Sequence, residues 1–344
     1  MYQVDPLRDP RWTELVLRHP SASVFHTPQW MEALQRTYGY KPLVFTTAAP
    51  GRDLTEGVAA CLVDSWLTGR RLISLPFSDH CDPLVDDFQT FKSRLSNLTR
   101  DVSQRKYKYI EFRPLTASPY GESGLQKSGS YYFHGLDLRP PETALFRAFH
   151  KNCVQRKIRR AESEALTYEE GNSPALLRRF YELQVITRKR LQLPPQPFAW
   201  FRHLADCMGK SLKICLLLKD GDSVASIVML RFKQTVTLKY ACSDKQFSKL
   251  GCMPLLYWKE IQDAKRNGFL EMDLGRSNLD DAGLAQFKDR FGAQRSTINY
   301  WRIVPESAVK REQAWKVSAA KKLFTRLPNG WLPLAGNLLY KHLA

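Results

Sequence analysis

The sequence predicts a mixed α/β protein made of two units with a similar plan. Short runs rich in β-branched and aromatic residues alternate with stretches of helical period, and this order of elements occurs twice along the chain. The chain has 344 residues, 43% of them hydrophobic, which is enough for two domains that each bury a core. We expect a mixed central sheet flanked by helices within residues 1–140 and again within 141–305, followed by a basic amphipathic helical tail over residues 306–344.

The first half opens with a helix. Thr27 is a typical N-cap, Pro28 suits the first helical position, and QWMEALQRTYG continues the helix until Gly39 closes it. Three strand-like runs follow, KPLVFTT, EGVAACLVDSW and RRLISLP. DFQTFKSRLSNLTRDVSQR then predicts a helix, YKYIEF a strand, and YYFHGLDL, residues 131–138, the strand that closes the first unit.

The second half repeats this order. Residues 140–164 predict one helix, LTYEEG a strand, and SPALLRRFYELQVITRKRLQ a helix that Pro194 and Pro195 stop. FAWFRHLADCM predicts another helix, and the following stretch predicts a hairpin that turns at Asp220-Gly221 and a third strand. PLLYWKEIQDAKRNG is an amphipathic helix whose apolar face places Tyr257 and Trp258 in the core, and FLEMDLG and TINYWRIV are the last strands.

Charge is the unusual feature of the composition. Lys and Arg number 52 against 34 Asp and Glu, a net charge of +18, so we expect an anionic partner such as nucleic acid, anionic lipid or a phosphate-bearing cofactor. The apolar stretches are short and the N-terminus has no apolar signal core, which favours a cytoplasmic protein. Seven cysteines without a C-x-x-C pair favour reduced core residues over a disulfide framework or a structural zinc site.

Five motifs carry a family resemblance: HTPQW (26–30), LPFSDHCDPL (75–84), HKNCVQRKIRRAE (150–162), TRKRLQLPPQP (187–197) and MDLGRSNLDDAGLAQFKDRFGA (272–293). In this order they resemble the FemAB-related, or BioF2-like, double-GNAT proteins of the GNAT superfamily. The resemblance covers residues 20–305. It implies two fused GNAT-like domains and the transfer of an acyl or aminoacyl group to an amine.

The resemblance also assigns residues of the second half to an acyl-transfer centre. A matching Phe-Lys pair lies at that centre in FemAB transferases, which assigns Phe287 to substrate binding and Lys288 to steadying negative charge; a solvated helix lysine is the alternative. Asp273, on the strand LEMDLGRS, is a candidate base or amine-orienting carboxylate, or else a cap of the next turn, and Arg276 lies at the mouth.

Tyr240 and Ser243 lie on the strand TLKYACSD, which comes before LEMDLGRS in the sequence. In GNAT folds a strand at this place splays open for the acyl chain, so Tyr240 is a candidate to protonate the leaving group and Ser243 to donate a hydrogen bond to it. The alternative for Tyr240 is an ordinary strand tyrosine, because tyrosine is common in strands.

The donor site departs from the usual GNAT pattern. Ordinary GNAT enzymes hold the cofactor pyrophosphate with a glycine-rich turn at a helix N-terminus. Here the loop SKLGCMP, residues 248–254, offers only Gly251 and the charge of Lys249. Arg156 and Arg160, on a helix with six basic residues between 143 and 161 and no acid, are further candidates to meet donor phosphates, or else belong to a solvated helix. We expect no tightly bound cofactor, and acyl-CoA or another acyl thioester as the donor substrate.

Asp79, His80, Cys81 and Asp82 form a polar cluster in LPFSDHCDPL. Neighbouring residues of an extended segment point to opposite faces, and no second metal-binding motif accompanies the cluster, so a metal site is disfavoured. The alternatives are a substrate-binding loop, in which His80 or Asp82 accepts the amine proton and Asp79 contacts substrate, and a polar turn.

Together these features predict an N-acyltransferase that moves an acyl group from a thioester, acyl-CoA or acyl carrier protein, to an amine of an amphiphilic lipid or cell-envelope precursor. One alternative is a FemAB-type transferase that uses aminoacyl-tRNA to extend a peptidoglycan precursor; only then is tRNA a partner. A non-catalytic GNAT-fold binding protein is the alternative of another class. The tail has seven basic residues and two acids from Pro305 to Ala344, which favours either peripheral attachment to the inner face of the cytoplasmic membrane or packing on the second domain.

Overall fold

The computed structural model describes residues 1–104, 107–116, 120–304 and 340–342. The chain divides into two compact units. Unit 1 comprises residues 1–130 and 298–344, and unit 2 comprises residues 131–297. The predicted amphipathic tail lies outside the described residues except for its positions 340–342.

The elements of the described residues alternate between strands and helices along the chain. The strands are β1 (Tyr2–Val4), β2 (Lys41–Thr46), β3 (Val58–Val63), β4 (Arg71–Ile73), β5 (Ile110–Phe112), β6 (Gln126–Asp137), β7 (Leu166–Gly171), β8 (Leu212–Lys219), β9 (Asp222–Phe232), β10 (Thr235–Ser243), β11 (Glu271–Asn278) and β12 (Gln294–Ile303). The helices are α1 (Pro10–Arg18), α2 (Pro28–Tyr38), α3 (Phe88–Gln104), α4 (Glu142–Ala148), α5 (Arg156–Ser163), α6 (Pro174–Arg190), α7 (Phe198–Met208), α8 (Cys252–Arg266) and α9 (Ala282–Asp289). The predicted mixed α/β class is confirmed.

Unit 1 contains a mixed sheet in the order β1-β2-β3-β4-β5, with the C-terminal half of β12 beside β5. Neighbours are antiparallel except for β4 and β5. Helix α2 begins and ends as its sequence predicts: the Thr27 hydroxyl accepts from the Trp30 amide, and Gly39 ends the helix at φ +71°. The core contains an aromatic group in which Phe91 contacts Phe112 and Tyr120 edge to face.

Residues 340–342 contact the N-terminal part of unit 1. The Tyr40 hydroxyl donates to the backbone oxygens of Tyr340 and Lys341, at 2.9 and 3.1 Å. The Arg71 guanidinium donates to the His342 oxygen at 2.7 Å. These three residues therefore pack within unit 1, whereas the sequence-based alternative to membrane attachment placed the tail on the second domain.

Unit 2 contains a mixed sheet in the order β6-β11-β10-β9-β8-β7, in which β10 and β11 are the parallel pair. The β8–β9 hairpin turns at Asp220 and Gly221, with φ of +52° and +89°, as predicted. Helix α5 packs on α8, and α6 packs on β8, β9 and β10. Tyr257 and Trp258 are buried in the core between sheet and helices, which confirms their prediction.

Two predictions for the segment between residues 126 and 164 are wrong. YYFHGLDL belongs to unit 2, because β6 pairs with β11 from Tyr131 to Asp137. Residues 140–164 do not form one helix: α4 ends at Ala148, Phe149 is extended, and a π-helical turn over Lys151–Gln155 leads into α5. The break is stabilised by tertiary contacts, since the buried Phe149 ring packs on Trp258 and Phe291 and the His150 amide donates to the Arg290 oxygen.

None of the seven cysteines is in a disulfide bond, and five of them are buried, as expected for reduced core residues. Within the described residues, the helices lack the combination of length and apolar character needed to cross a bilayer.

Candidate functional site

The two parallel strands of unit 2 separate partway along their length. β10 and β11 pair from Thr235–Glu271 to Thr237–Asp273, and both strands then continue, β10 to Ser243 and β11 to Asn278. Each strand has a bulge just beyond the last pair: Lys239 is the extra residue of β10 opposite β9, and β11 has one extra residue opposite β6 between Asp273 and Arg276. The pairing of β10 with β11 therefore ends in the region where the resemblance implies an opening for the acyl chain, and acyl binding there stays a prediction.

Asp273 lies at the point where the strands part. Its side chain is buried, and its Oδ1 accepts from the Gly275 amide at 2.6 Å while the Thr237 hydroxyl donates to Oδ2 at 3.4 Å. Gly275 has φ +71°, a left-handed conformation that glycine adopts without strain and that the bulge requires. Asp273 thus caps the bulge at the point where the pairing ends, and its role as a base or amine-orienting carboxylate stays a prediction.

Lys288 is not a solvated helix lysine. It is 3% exposed, and its ammonium donates to the backbone oxygens of Gly275 at 2.9 Å and Arg276 at 3.2 Å. A buried ammonium on two carbonyls fixes the bulge and puts a positive charge beside the splayed strands. The neighbouring Phe287 packs on Tyr257, with ring centroids 5.2 Å apart, and the Arg276 guanidinium lies 4.2 Å from the centroid of the Tyr131 ring.

Tyr240 lies beside helices α6 and α7. Its hydroxyl accepts from the indole N–H of Trp200 at 2.7 Å, and its ring contacts Phe201 at 5.0 Å. Ser243, at the end of β10, is held through its backbone, since its amide donates to the Thr187 hydroxyl at 2.9 Å. Tyr240 lies on β10 and Asp273 on the neighbouring strand β11.

A basic cleft of about 530 Å³ lies between α5 and the loop that precedes α8. It is lined by Asn152, Arg156, Lys157, Arg160, Ser248 and Lys249. Four of these six residues are cations, and no acid lies among them, so the cleft is suited to an anion. Three predicted donor-site residues, Arg156, Arg160 and Lys249, thus line one cleft although Arg160 and Lys249 are 89 positions apart in sequence.

Gly251 lies at the N-cap of α8 with φ +82°. A Cβ atom added there would lie 2.3 Å from the Lys157 backbone oxygen, closer than any real contact. Glycine is therefore needed for the close approach of α5 to the start of α8. This approach puts α5 over the helix terminus where an ordinary GNAT turn holds pyrophosphate, so the charges of the cleft come from side chains of α5 and Lys249.

The residues of LPFSDHCDPL lie in unit 1. The Asp82 carboxylate accepts from the amides of Leu115 and Thr116, both at 3.1 Å, and the backbone oxygen of Asp79 accepts from the Tyr300 hydroxyl at 2.8 Å. His80 is 5% exposed, and its ring meets Phe25 edge to face at 5.3 Å. These contacts are those of a tightly held polar turn, and a role of His80 as proton acceptor stays a prediction.

A second histidine, His26, contacts the same turn from another part of the chain. The buried His26 ring lies with Nε2 2.8 Å from the Asp82 backbone oxygen and 3.2 Å from Cys81 Sγ. Burial, the main cause, lowers the pKa of His26 from 6.5 to about 4. His26 is therefore neutral at physiological pH.

One cluster in the described residues has the spacing of metal ligands. Glu170, Cys215 and Glu260 offer ligand atoms within 4.8 Å of one another. The Lys213 ammonium lies 2.8 Å from Glu260 and 3.2 Å from Glu170, so a cation is already present in the cluster. Burial and the neighbouring Glu260 raise the pKa of the Cys215 thiol well above its usual value, which disfavours the thiolate that a metal needs.

The sequence did not point to several residues around these sites. Trp200 lies on the amphipathic helix α7 and Lys157 on the basic helix α5, and neither residue differs from its neighbours in a way that predicts its contacts. His134 is the clearest omission: it is fully buried on β6, and its Nε2 lies 3.1 Å from Asp289, the residue after Lys288. A histidine within an otherwise aromatic strand was the available signal.

Comparison with known proteins identifies the fold that carries these residues. Residues 148–289 match a family model described as an acetyltransferase (GNAT) domain. Similar solved structures include the crystal structure of FemX, with a TM-score of 0.68 and 12% identity over 87% of this chain and 97% of that chain. The C-terminal domain of a putative lysylphosphatidylglycerol synthetase from Agrobacterium fabrum has a TM-score of 0.57 and 15% identity over 92% and 96% of the two chains.

A third similar structure is a tandem GNAT protein from the clavulanic acid biosynthesis pathway, with a TM-score of 0.56 and 10% identity over 88% of this chain and 97% of that chain. No curated protein matches the chain in sequence. The segment 148–289 is thus a GNAT domain, and the protein is an acyltransferase of the GNAT type. Its fold is that of FemAB-like double-GNAT proteins, which confirms the predicted resemblance.

Proposed function

We propose that the protein transfers an acyl group from a phosphate-bearing donor to an amine of an amphiphilic lipid or cell-envelope precursor. The observation that carries this proposal is the basic cleft of Arg156, Lys157, Arg160 and Lys249 in the same unit as the splayed strands. A cleft with four cations suits the phosphates of the donor, and separated strands suit its extended acyl arm. An acyl-CoA or an acyl carrier protein thioester has both parts.

The reaction needs no covalent intermediate with the protein. The neutral amine attacks the acyl carbonyl carbon, a C–N bond forms, and the carbonyl π electrons move to oxygen. Collapse re-forms the carbonyl and breaks the C–S bond, and the nitrogen gives up its extra proton. In this proposal Asp273 accepts that proton or orients the amine, Lys288 steadies negative charge, and Tyr240 gives a proton to the leaving sulfur.

Support for a lipid acceptor comes from one of the similar structures. The Agrobacterium fabrum protein is described as a putative lysylphosphatidylglycerol synthetase, and its product name is that of an aminoacylated lipid. Its C-terminal domain has the same fold as this chain, at 15% identity. An amphiphilic acceptor also agrees with the net charge of +18, since anionic headgroups attract a basic protein.

The same similarity favours a second candidate. A lysyl group is an aminoacyl group. The resemblance to FemAB proteins implies aminoacyl-tRNA as its donor, and the cleft is also suited to the phosphates of an RNA acceptor stem. In this case the bond that breaks is the ester C–O bond to the terminal ribose. The positions of Asp273 and Lys288 serve both donors, because each reaction passes through an oxyanion and releases one proton.

A comparison of acyl donors in a transfer assay tests the proposal. The full chain is incubated with acetyl-CoA, palmitoyl-CoA, an acyl carrier protein thioester or lysyl-tRNA, together with vesicles that contain phosphatidylethanolamine, and acylated products are measured by mass spectrometry. Consumption of a thioester with formation of an amide supports the first candidate. Consumption of lysyl-tRNA alone establishes the second, and no turnover of any donor contradicts both.

The cleft has a matched control on its own helix. Arg156→Ala removes a cleft cation, whereas Arg159→Ala removes a cation that lies over Phe146, 5.8 Å from the ring centroid. A charged hydrogen bond contributes about 1.5–3 kcal/mol, so we expect Arg156→Ala to weaken donor binding by about tenfold or more. Equal donor KM values in the two variants would remove the cleft from the donor site.

A further inference from the structure

His134 is a buried histidine whose tautomer is fixed by its partner. Its side chain has no exposed surface, and Nε2 lies 3.1 Å from Oδ1 of Asp289. Asp289 also pairs with the Arg295 guanidinium, and this contact lowers the pKa of the carboxyl group. Because an ionised carboxylate can only accept, Nε2 must carry the imidazole proton. The other ring nitrogen, Nδ1, is then a bare acceptor.

That acceptor is left unused within the part of the chain that the structure describes. His134 Nδ1 has no hydrogen-bond partner there, and neither has the buried hydroxyl of Ser277. Ser277 pairs with Tyr132 across β6 and β11, and His134 is two residues further along β6, so both side chains lie on one face of the sheet. A buried polar atom without a partner costs about 1–3 kcal/mol, whereas a phenylalanine here would fill the same space without that cost. Stability alone therefore does not account for a histidine at this position.

The contact to Asp289 connects His134 with Lys288. Lys288 and Asp289 are consecutive residues at the end of α9, and the Lys288 ammonium donates to the two bulge carbonyls of β11. β6, which carries His134, is the strand that pairs with the bulged part of β11. Any shift of Asp289 therefore moves Lys288 relative to the bulge.

Burial and the neighbouring cations keep the imidazole neutral, although Asp289 raises its pKa. The groups that face it are Asp289 and Lys288 from α9 and Arg295 from β12. Burial is the main cause that lowers the pKa of His134 below 6.5, and the Lys288 charge adds to it. Protonation would turn Nδ1 into a second donor and place another positive charge beside Lys288 in a poorly solvated place.

We propose that neutral His134 is a positioning residue of the acyl-transfer centre, which holds Asp289 and thereby keeps Lys288 on the backbone oxygens of Gly275 and Arg276. The consequence for turnover rests on the proposed function. The tautomer and the geometry do not, so the two are tested separately.

The first experiment needs no substrate. The full chain is labelled with ¹⁵N-histidine, and the His134 ring is identified as the resonance that His134→Gln removes. We expect the neutral Nε2–H tautomer at pH 7 and a protonation midpoint below 6.5. A ring that is charged at pH 7, or a proton on Nδ1, would overturn the proposal.

The second experiment compares three variants in the transfer assay. His134→Phe fills the space without a donor, His134→Gln restores a donor to Asp289 but cannot be protonated, and His203→Gln is a control at a half-buried histidine of α7. We expect His134→Phe to lower kcat by about tenfold or more with little change in KM, because a displaced catalytic group costs rate more than affinity. His134→Gln should keep most of kcat and lose the part of the acidic limb whose midpoint matches the His134 titration, a part that His203→Gln retains.

An unchanged kcat in His134→Phe, or an acidic limb in His134→Gln that is identical to that of the wild type, would overturn the proposal. If His134→Phe does not fold, the pH profile of His134→Gln decides. If the wild-type chain transfers no acyl group from any donor, the proposed function fails, and the ¹⁵N titration still decides whether His134 is the neutral anchor of Asp289.

Discussion

Gly251→Ala is a perturbation whose cost can be worked out from the structure. The new Cβ would lie 2.3 Å from the Lys157 oxygen and 3.0 Å from its carbonyl carbon, whereas ordinary contact begins at 3.4 Å. Relief requires α5 to move by about 1 Å away from α8, and overpacking of this kind costs about 1–3 kcal/mol. The left-handed φ of +82° adds about 1–2 kcal/mol for any residue other than glycine.

Gly268, at the other end of the same helix, is a matched control. It has φ +77°, and an added Cβ would meet nothing within 4 Å. Gly268→Ala therefore pays only the conformational cost, which the lower entropy of the unfolded chain offsets by about 0.4–1 kcal/mol. The clash alone should make Gly251→Ala less stable than Gly268→Ala by about 1–3 kcal/mol.

Urea unfolding followed by circular dichroism measures both variants. We expect a lower midpoint for Gly251→Ala with an unchanged m value, since the surface exposed on unfolding stays the same. Because Arg156 and Arg160 are on α5, the same variant should also weaken binding of coenzyme A, used as a phosphate-bearing probe. Equal midpoints for the two variants would refute the close approach of α5 to Gly251.

Three further predictions concern stability, catalysis and location. The pKa of His26 is lowered from 6.5 to about 4 in the folded chain, so between these pH values the unfolded chain binds a proton that the folded chain does not. The free energy of unfolding should therefore fall by about 3 kcal/mol from pH 7 to pH 4, and His26→Gln should flatten this slope in urea titrations. Lys288→Ala and Asp273→Asn should each lower kcat by about 100-fold while circular dichroism shows a retained fold, and near-normal rates in both would remove this centre. The full chain should float with anionic but not neutral vesicles, and a chain that ends at Pro305 should not float; equal behaviour of the two would favour a soluble acceptor.

The sequence determined much of the secondary structure, because its signals are local. The cap at Thr27, the terminator at Gly39 and the turn at Asp220-Gly221 act within a few residues, and all three appear as predicted. The same holds for Tyr257 and Trp258, whose helical spacing places them in the core. Ordered motifs added the double-GNAT fold, which no single motif specifies.

Helix breaks and strand membership were decided by contacts between distant residues. Residues 140–164 have helical propensity throughout, but the chain breaks at Phe149 because this ring gains more from packing on Trp258 and Phe291 than from one more helical turn. From Tyr131 onward β6 belongs to the second unit, because its partner β11 comes more than 130 residues later.

The sequence by itself determined the chemical types at the candidate site: the cations of the cleft, the carboxylate of Asp273 and the Phe287-Lys288 pair. Only the tertiary structure decided what each type does. Lys249 meets Arg156 and Arg160 because Gly251 lets α5 approach α8, and Lys288 is buried on two bulge carbonyls. The physical reason is range: propensity and pattern act over a few residues, whereas the bulge and the cleft depend on where separate elements come to lie against each other.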